Sequence, residues 1–194
     1  MVDPLNITDY TRGPKALFEF AAFALCVAGK TATTVAPRVS ALLDEIGGKA
    51  GVLRTPEPEL ARALKRHGLG CYTVRSRGLK ALARLDLRSC TLEQLESVPG
   101  FGPKTSRFFV LHSRPGVRRA VLDTHVLKWL REQGVDAPLT TPSGRRYSLL
   151  EEQFLSRVPP GVTPAAFDLE VWAGYARRKE TNGNQKTIIG GGDG

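Results

Sequence analysis

The chain has only three cysteines, three histidines and one methionine in 194 residues, and these shortages exclude several kinds of chemistry. Cys26, Cys71 and Cys90 are too few for a disulfide scaffold and lie at no close metal-ligand spacing. With so few histidines beside them, no dense ligand set of the kind a zinc nuclease needs can be drawn, and the cysteines read as packing or indifferent surface positions. Long apolar runs are missing too: Leu17 to Val27 is too short to span a bilayer and is interrupted by Glu19. Met1 to Gly13 lacks the basic start and apolar core of a secretion signal, so the expectation is an intracellular protein, cytoplasmic or nucleoid-associated, with no membrane partner. Apolar–polar alternation of the kind strands show is absent, which leaves helices.

Acidic residues are also in the minority. Lys and Arg number 28 against 19 Asp and Glu, a formal charge of +9, and such a surface favours a phosphate-rich partner because each neutralised phosphate releases counterions. Basic charge also serves solubility, so composition alone leaves both uses open.

Turn and cap residues divide the helical pattern. Pro14 precedes an apolar run over Ala16 to Cys26, and a second helix is expected over Ala36 to Ile46 before the Gly47-Gly48 break. Thr55-Pro56 reads as a cap with proline in the first turn of a helix running toward His67; Arg75 to Leu85 forms a basic amphipathic segment. Thr91 with Gln94 three residues on is a capping-box pattern for a short helix ending near Ser97. Another helix is expected from Pro103 or Lys104 toward Arg114, giving helix, tight turn, helix across 91–113. Asp123 is placed to cap Thr124 to Gln133; Arg146 to Ser156 and Phe167 to Arg178 follow, and 181–194 read as a flexible tail.

The residues with chemical potential sit at helix starts. In Val98-Pro99-Gly100-Phe101-Gly102-Pro103-Lys104-Thr105, Gly100 and Gly102 can turn the backbone and bring its amides close to a phosphate, with the Lys104 amine beside that path. Nineteen positions after that lysine stands Asp123, in Leu122-Asp123-Thr124-His125. Taken alone, the glycines could form a simple turn, Lys104 could be a solvated lysine and Asp123 a cap and nothing more.

Together these two segments resemble the helix-hairpin-helix DNA glycosylase family, whose members include endonuclease III, the adenine-mismatch glycosylase and 8-oxoguanine DNA glycosylases. Gly68-Leu69-Gly70-Cys71-Tyr72, with Arg75 and Arg77, resembles an upstream segment of that family, and the likeness extends over residues 15 to 178. The resemblance implies an all-α, two-lobed fold, with 1–35 and 135–180 forming one lobe and 36–134 the other. It implies damaged double-stranded DNA as partner, a monomer as a sufficient unit, and extrusion of one nucleotide into a cleft. Lys104 matches the Schiff-base lysine of bifunctional relatives, which implies base excision coupled to β-elimination at the sugar, and Asp123 matches the catalytic aspartate.

By the same resemblance Gly100, Gly102, Thr105, Lys30, Arg75, Arg77, Arg107 and His125 are candidate DNA contacts. His125 could equally orient the aspartate loop, and Lys30 stands near the position at which endonuclease III carries a gap-filling glutamine. Asp168, Trp172 and Tyr175 are candidates for the base pocket, with helix packing as the competing role. No cofactor is implied beyond a monovalent cation at the hairpin. The four-cysteine iron-sulfur motif of many endonuclease III relatives has no counterpart here, and the Lys104–Asp123 interval fits cluster-free 8-oxoguanine glycosylases better. The expected substrate is therefore an oxidised purine such as 8-oxoguanine, with three alternatives: an oxidised pyrimidine, a modified-thymine nucleotide enzyme, or a non-catalytic helix-hairpin-helix DNA-binding protein.

Overall fold

A computed structural model describes residues 1–175, and among them every regular element is a helix. Helix α1 (Pro14–Val27) carries proline in its first turn and buries ten consecutive residues, Leu17 to Cys26. A helix apolar on all sides must be covered on all sides. Helices α2 (Ala32–Ile46), α3 (Gly48–Arg54), α5 (Tyr72–Arg84) and α7 (Pro103–Ser113) provide that cover.

The described residues divide into two compact units, Met1–Val117 and one that begins at Arg118. This partition is not the grouping of 1–35 with 135–180 that the resemblance implied. The physical reason lies in α1, whose buried faces pack on elements between residues 32 and 113.

The Gly47-Gly48 break proves to be a turn between two helices, of which α3 was not foreseen. Gly47 is left-handed (φ 80°) and its amide bonds the Leu43 carbonyl, closing α2 as a glycine C-cap does. Thr55 closes α3, donating its amide to the Gly51 carbonyl at 2.8 Å. The expected threonine cap is thus one position early: α4 (Glu57–Arg66) starts after Pro56 without a side-chain cap. Glu57 and Glu59 in its first turn and Lys65 and Arg66 in its last complement the helix dipole. The capping box of α6 (Leu92–Glu96) forms as expected, with Gln94 N donating to Thr91 Oγ1 (3.2 Å) and Thr91 N to Gln94 Oε1 (2.8 Å).

Some of the basic excess is used inside the first unit. Arg12, 7% exposed, lies 4.1 Å from the Phe20 ring centre and donates to the carbonyls of Asp9 (2.7 Å), His112 (2.9 Å) and Ile7 (2.6 Å). Arg114 reaches the carbonyls of Cys90 (2.8 Å) and Leu87 (3.0 Å). Five polar N–H groups on a long stem make arginine suited to tying coil segments to a helical core.

The second unit contains α8 (Thr124–Glu132), α9 (Gly144–Leu155) and a helical segment over 164–175. Leu122, Val126, Leu127, Leu130, Tyr147, Leu150, Phe154, Phe167 and Val171 form its core. Trp129, Phe154 and Phe167 meet with ring centres 5.2–5.6 Å apart. The expected helix end at Arg178 and the tail at 181–194 lie outside the described residues. No described helix is long and apolar enough to cross a membrane.

Candidate active site

In the first unit, Phe101 N bonds the Val98 carbonyl at 2.9 Å, closing a four-residue turn with Gly100 at φ 86°. Glycine is required there twice over: the backbone is left-handed, and an added Cβ would stand 2.8 Å from a Leu25 methyl. Gly102 is different. Its φ is −83°, its backbone is extended, and nothing lies within 4 Å of where a Cβ would go. As the N-cap of α7 it stands where glycine is well accepted, and the open space beside it leaves room for a ligand to press against the backbone.

Pro103 then opens α7 and Lys104, half-buried, is its second residue. The first intrahelical bond is made by Ser106, whose amide and hydroxyl both reach the Gly102 carbonyl (3.0 and 3.1 Å). The amides of Lys104 and Thr105 therefore precede the helical ladder, as at any helix N-terminus. Of the hairpin amides, Phe101's is consumed within the turn and Pro103 has none. Thr105 is buried, 7% exposed, at the base of this turn.

Two features hold the hairpin in place. Arg107 pairs with Glu96 at 2.6 Å and donates to the Pro103 carbonyl at 3.2 Å, joining the end of α6 to the start of α7. Gly78, inside α5, lets the backbone approach: a Cβ there would lie 2.4 Å from the Pro99 carbonyl oxygen. A glycine within a helix costs about 1 kcal/mol against alanine, and that anomaly was the available sequence signal for this contact.

The remaining basic candidates divide by exposure. Arg75 is only 5% exposed and donates to the Gly70 carbonyl at 3.3 Å, so its guanidinium supports the Gly68–Cys71 loop. Lys30 is exposed and donates to the Gly68 carbonyl at 3.1 Å. Arg38, not singled out in the sequence, reaches the same oxygen at 3.3 Å. Arg77 is largely exposed and pairs with Glu57 at 3.5 Å. Lys30 and Arg38 thus converge on a loop thirty or more residues away, a proximity no local pattern announces.

In the second unit Asp123 caps α8. Its Oδ1 accepts from the amides of His125 and Val126, both at 2.9 Å, and the half-buried carboxylate leaves Oδ2 outside those two cap bonds. Capping and a chemical role can therefore share one carboxylate. The residues before it lie in neither helix nor strand and are buried: Ala120 and Leu122 are 0% exposed. Their backbone groups bond to side chains. Glu151 Oε1 accepts from Ala120 N (3.0 Å), and the Tyr147 hydroxyl donates to Ala120 O (2.9 Å) and accepts from Leu122 N (3.1 Å). Thr141 Oγ1 donates to Leu122 O (2.9 Å), and Asp123 N bonds Val121 O (2.7 Å).

His125 stacks on Tyr175 (6.2 Å between centres, 24° between planes) and meets Trp172 edge-on (6.1 Å, 89°). The three lie together in this unit. Tyr175 is buried and its hydroxyl bonds Glu132, which gives it a packing role, whereas Trp172 is 47% exposed. Asp168 is buried, 5% exposed.

No protein-family model and no curated protein sequence matches this chain. Solved structures do. The 8-oxoguanine DNA glycosylase of Thermotoga maritima superposes with a TM-score of 0.61 at 24% identity, over 81% of this chain and 78% of that one. The 8-oxoguanine DNA glycosylase of Methanocaldococcus jannaschii gives 0.66 at 22% identity, over 89% and 83%. A trapped endonuclease III–DNA covalent intermediate gives 0.58 at 20% identity, over 79% and 69%. This chain has the fold of the helix-hairpin-helix DNA glycosylases.

Proposed function

We propose that the protein is a base-excision DNA glycosylase with AP lyase activity, acting on duplex DNA that carries an oxidised base of the 8-oxoguanine type. The observation that carries this reading is the lysine at the second position of α7, directly after a turn whose Gly102 leaves the backbone open where a Cβ would stand. The free amides at the start of α7 suit a phosphate oxygen, and the missing Cβ lets it approach. Such a contact positions the strand and reads no base.

With the damaged nucleotide extruded, the lone pair of a neutral Lys104 Nζ attacks C1′ of the deoxyribose. The glycosidic bond breaks and the base leaves with the bonding electrons, taking up a proton. Ring opening gives the iminium; loss of a C2′ proton then expels the 3′ phosphate in a β-elimination. The Asp123 carboxylate opposes the positive character that develops at C1′, an interaction strongest in the transition state. Trp172, with nearly half its surface exposed, is the aromatic plane available to an extruded base.

Two of the solved relatives are described as 8-oxoguanine glycosylases, and the Lys104–Asp123 interval favours the same substrate class. The chain's three cysteines are fewer than a four-cysteine iron-sulfur site needs. Val98's carbonyl is taken by Phe101 N and Gly102's by Ser106, so a monovalent cation at the hairpin would turn to the Gly100 carbonyl. Similarity to endonuclease III keeps an oxidised pyrimidine as the second reading.

The test is release of free base, followed by chromatography, from matched duplexes holding 8-oxoguanine, thymine glycol, uracil or no lesion. Release of 8-oxoguanine with strand scission is the expected result. Release of thymine glycol alone supports the second reading, and binding to all duplexes without release leaves only a DNA-binding module.

A further inference from the structure

We infer that Tyr147 on α9, aided by Thr141, is a positioning residue that sets the Asp123 carboxylate for reaction through the buried strap 120–122. The inference rests on the proposed catalytic use of Asp123. Residues 120–122 lie in neither helix nor sheet, yet Ala120 and Leu122 are wholly buried, so every backbone donor and acceptor there needs a partner. The helices cannot supply it, because their backbone groups are committed internally. Side chains do so instead: the single hydroxyl of Tyr147 spans the strap, donating to Ala120 O at 2.9 Å and accepting from Leu122 N at 3.1 Å. Thr141 holds the opposite polar group of Leu122, and Glu151 holds Ala120 N.

The geometry of Asp123 follows from this arrangement. Leu122 is fixed at both its amide and its carbonyl, and the next amide, that of Asp123, turns back onto Val121 O at 2.7 Å. The backbone entering α8 thus has little freedom, and the Asp123 side chain leaves it at a set angle. The cap bonds restrain Oδ1 further, which leaves Oδ2 as the oxygen whose position the strap determines. Tyr147 is itself 1% exposed and packed in the core, so it transmits the rigidity of α9 to the aspartate without touching substrate. Displacing a reacting group by about 1 Å can cost on the order of a hundredfold in rate, so loose tethering reads out in chemistry before binding.

The experiment compares wild type with Tyr147→Phe, Thr141→Val, Thr141→Ser and Asp123→Asn. It measures single-turnover base excision at saturating enzyme, the Kd for undamaged duplex, and Tm. Tyr147→Phe is expected to lower the single-turnover rate about tenfold or more with Kd unchanged within about twofold. Thr141→Val is expected to give a smaller loss in the same direction, which Thr141→Ser restores because it keeps the hydroxyl. If Tyr147→Phe lowers Tm but leaves the rate unchanged at temperatures where it is folded, the tyrosine is only structural and the inference fails. Should Tyr147→Phe not fold, the threonine pair decides: equal rates for Thr141→Val and Thr141→Ser overturn it. Full activity in Asp123→Asn sinks the catalytic reading of Asp123 itself, and the inference with it, a result recognisable because it does not depend on Tyr147 or Thr141.

Discussion

The two segments that present the candidate groups are built in opposite ways. The hairpin before Lys104 is a local device: a four-residue turn, one left-handed glycine and a proline-started helix, all within eight consecutive residues. The strap before Asp123 has no secondary structure and is shaped by side chains that arrive from residues 141, 147 and 151. A local turn fixes a helix terminus by backbone geometry. A side-chain scaffold instead makes the position of one carboxylate depend on the packing of a whole unit.

The largest effect that sharpens this contrast is expected at Asp123. Asn keeps a side-chain oxygen for the cap, so Asp123→Asn should keep its unfolding free energy within about 0.5 kcal/mol of wild type while single-turnover excision falls ~10²–10³-fold. Asp123→Ala should lose the same chemistry and about 1 kcal/mol of stability as well. Urea unfolding alongside excision assays separates the two, and an Asn variant as unstable as the Ala variant would break the assignment of cap and charge to one carboxylate.

The glycine pair comes next. Gly100→Ala places a side chain at φ 86° against Leu25 and should cost about 1–3 kcal/mol. Gly102→Ala meets open space, so its stability should stay within about 0.5 kcal/mol of wild type. Binding to duplex should nevertheless weaken about tenfold, the loss expected for one hydrogen bond to a charged group. Equal stability losses at both glycines would show that the turn, not a phosphate, explains Gly102.

The hairpin was legible in the sequence because its signals are consecutive: Thr91 with Gln94, the two glycines, and Pro103 before Lys104. The Asp123 cap was legible for the same reason. Tyr147 was not, since a tyrosine in an amphipathic helix reads as core and nothing in its neighbours points to a segment 25 residues earlier. Arg75 shows the opposite failure: a cation in a basic helix suggests a solvent-facing phosphate contact, yet it turns inward to brace the loop before its own helix. Helix α3 was hidden behind a pair of glycines that ordinarily end a helix, as Gly47 does, while Gly48 begins another.

Acid should act on the first unit by a smaller effect. The carboxyls of Asp9, Glu45 and Asp86, all in the first unit, titrate below the usual carboxylate range. Thr11 hydroxyl and amide bonds hold down Asp9, Arg66 and then His67 hold down Glu45, and the Ser89 hydroxyl and Arg88 amide hold down Asp86. Their folded values lie below the unfolded ones, so their contribution is present above about pH 4 and is lost as pH falls through the folded values. Replacing these carboxylates by their amides should therefore leave unfolding in acid, followed by circular dichroism, less dependent on pH below about pH 4, and an unchanged dependence would contradict this.

The smallest effect is a thiol count. Burial pushes the Cys26 thiol up to about 12 and raises that of Cys90, whereas Cys71 is exposed. At pH 8 one cysteine should react rapidly with a thiol reagent and two slowly; three fast thiols would indicate a first unit looser than the packing of α1 requires.

Borohydride trapping on an 8-oxoguanine duplex, with the adduct mapped by peptide mass spectrometry, tests the central claim most directly. Wild type should give a lesion-dependent covalent complex at Lys104 that is absent in Lys104→Gln, whereas an undiminished adduct in that variant, or an adduct at another lysine, would contradict the assignment of the nucleophile.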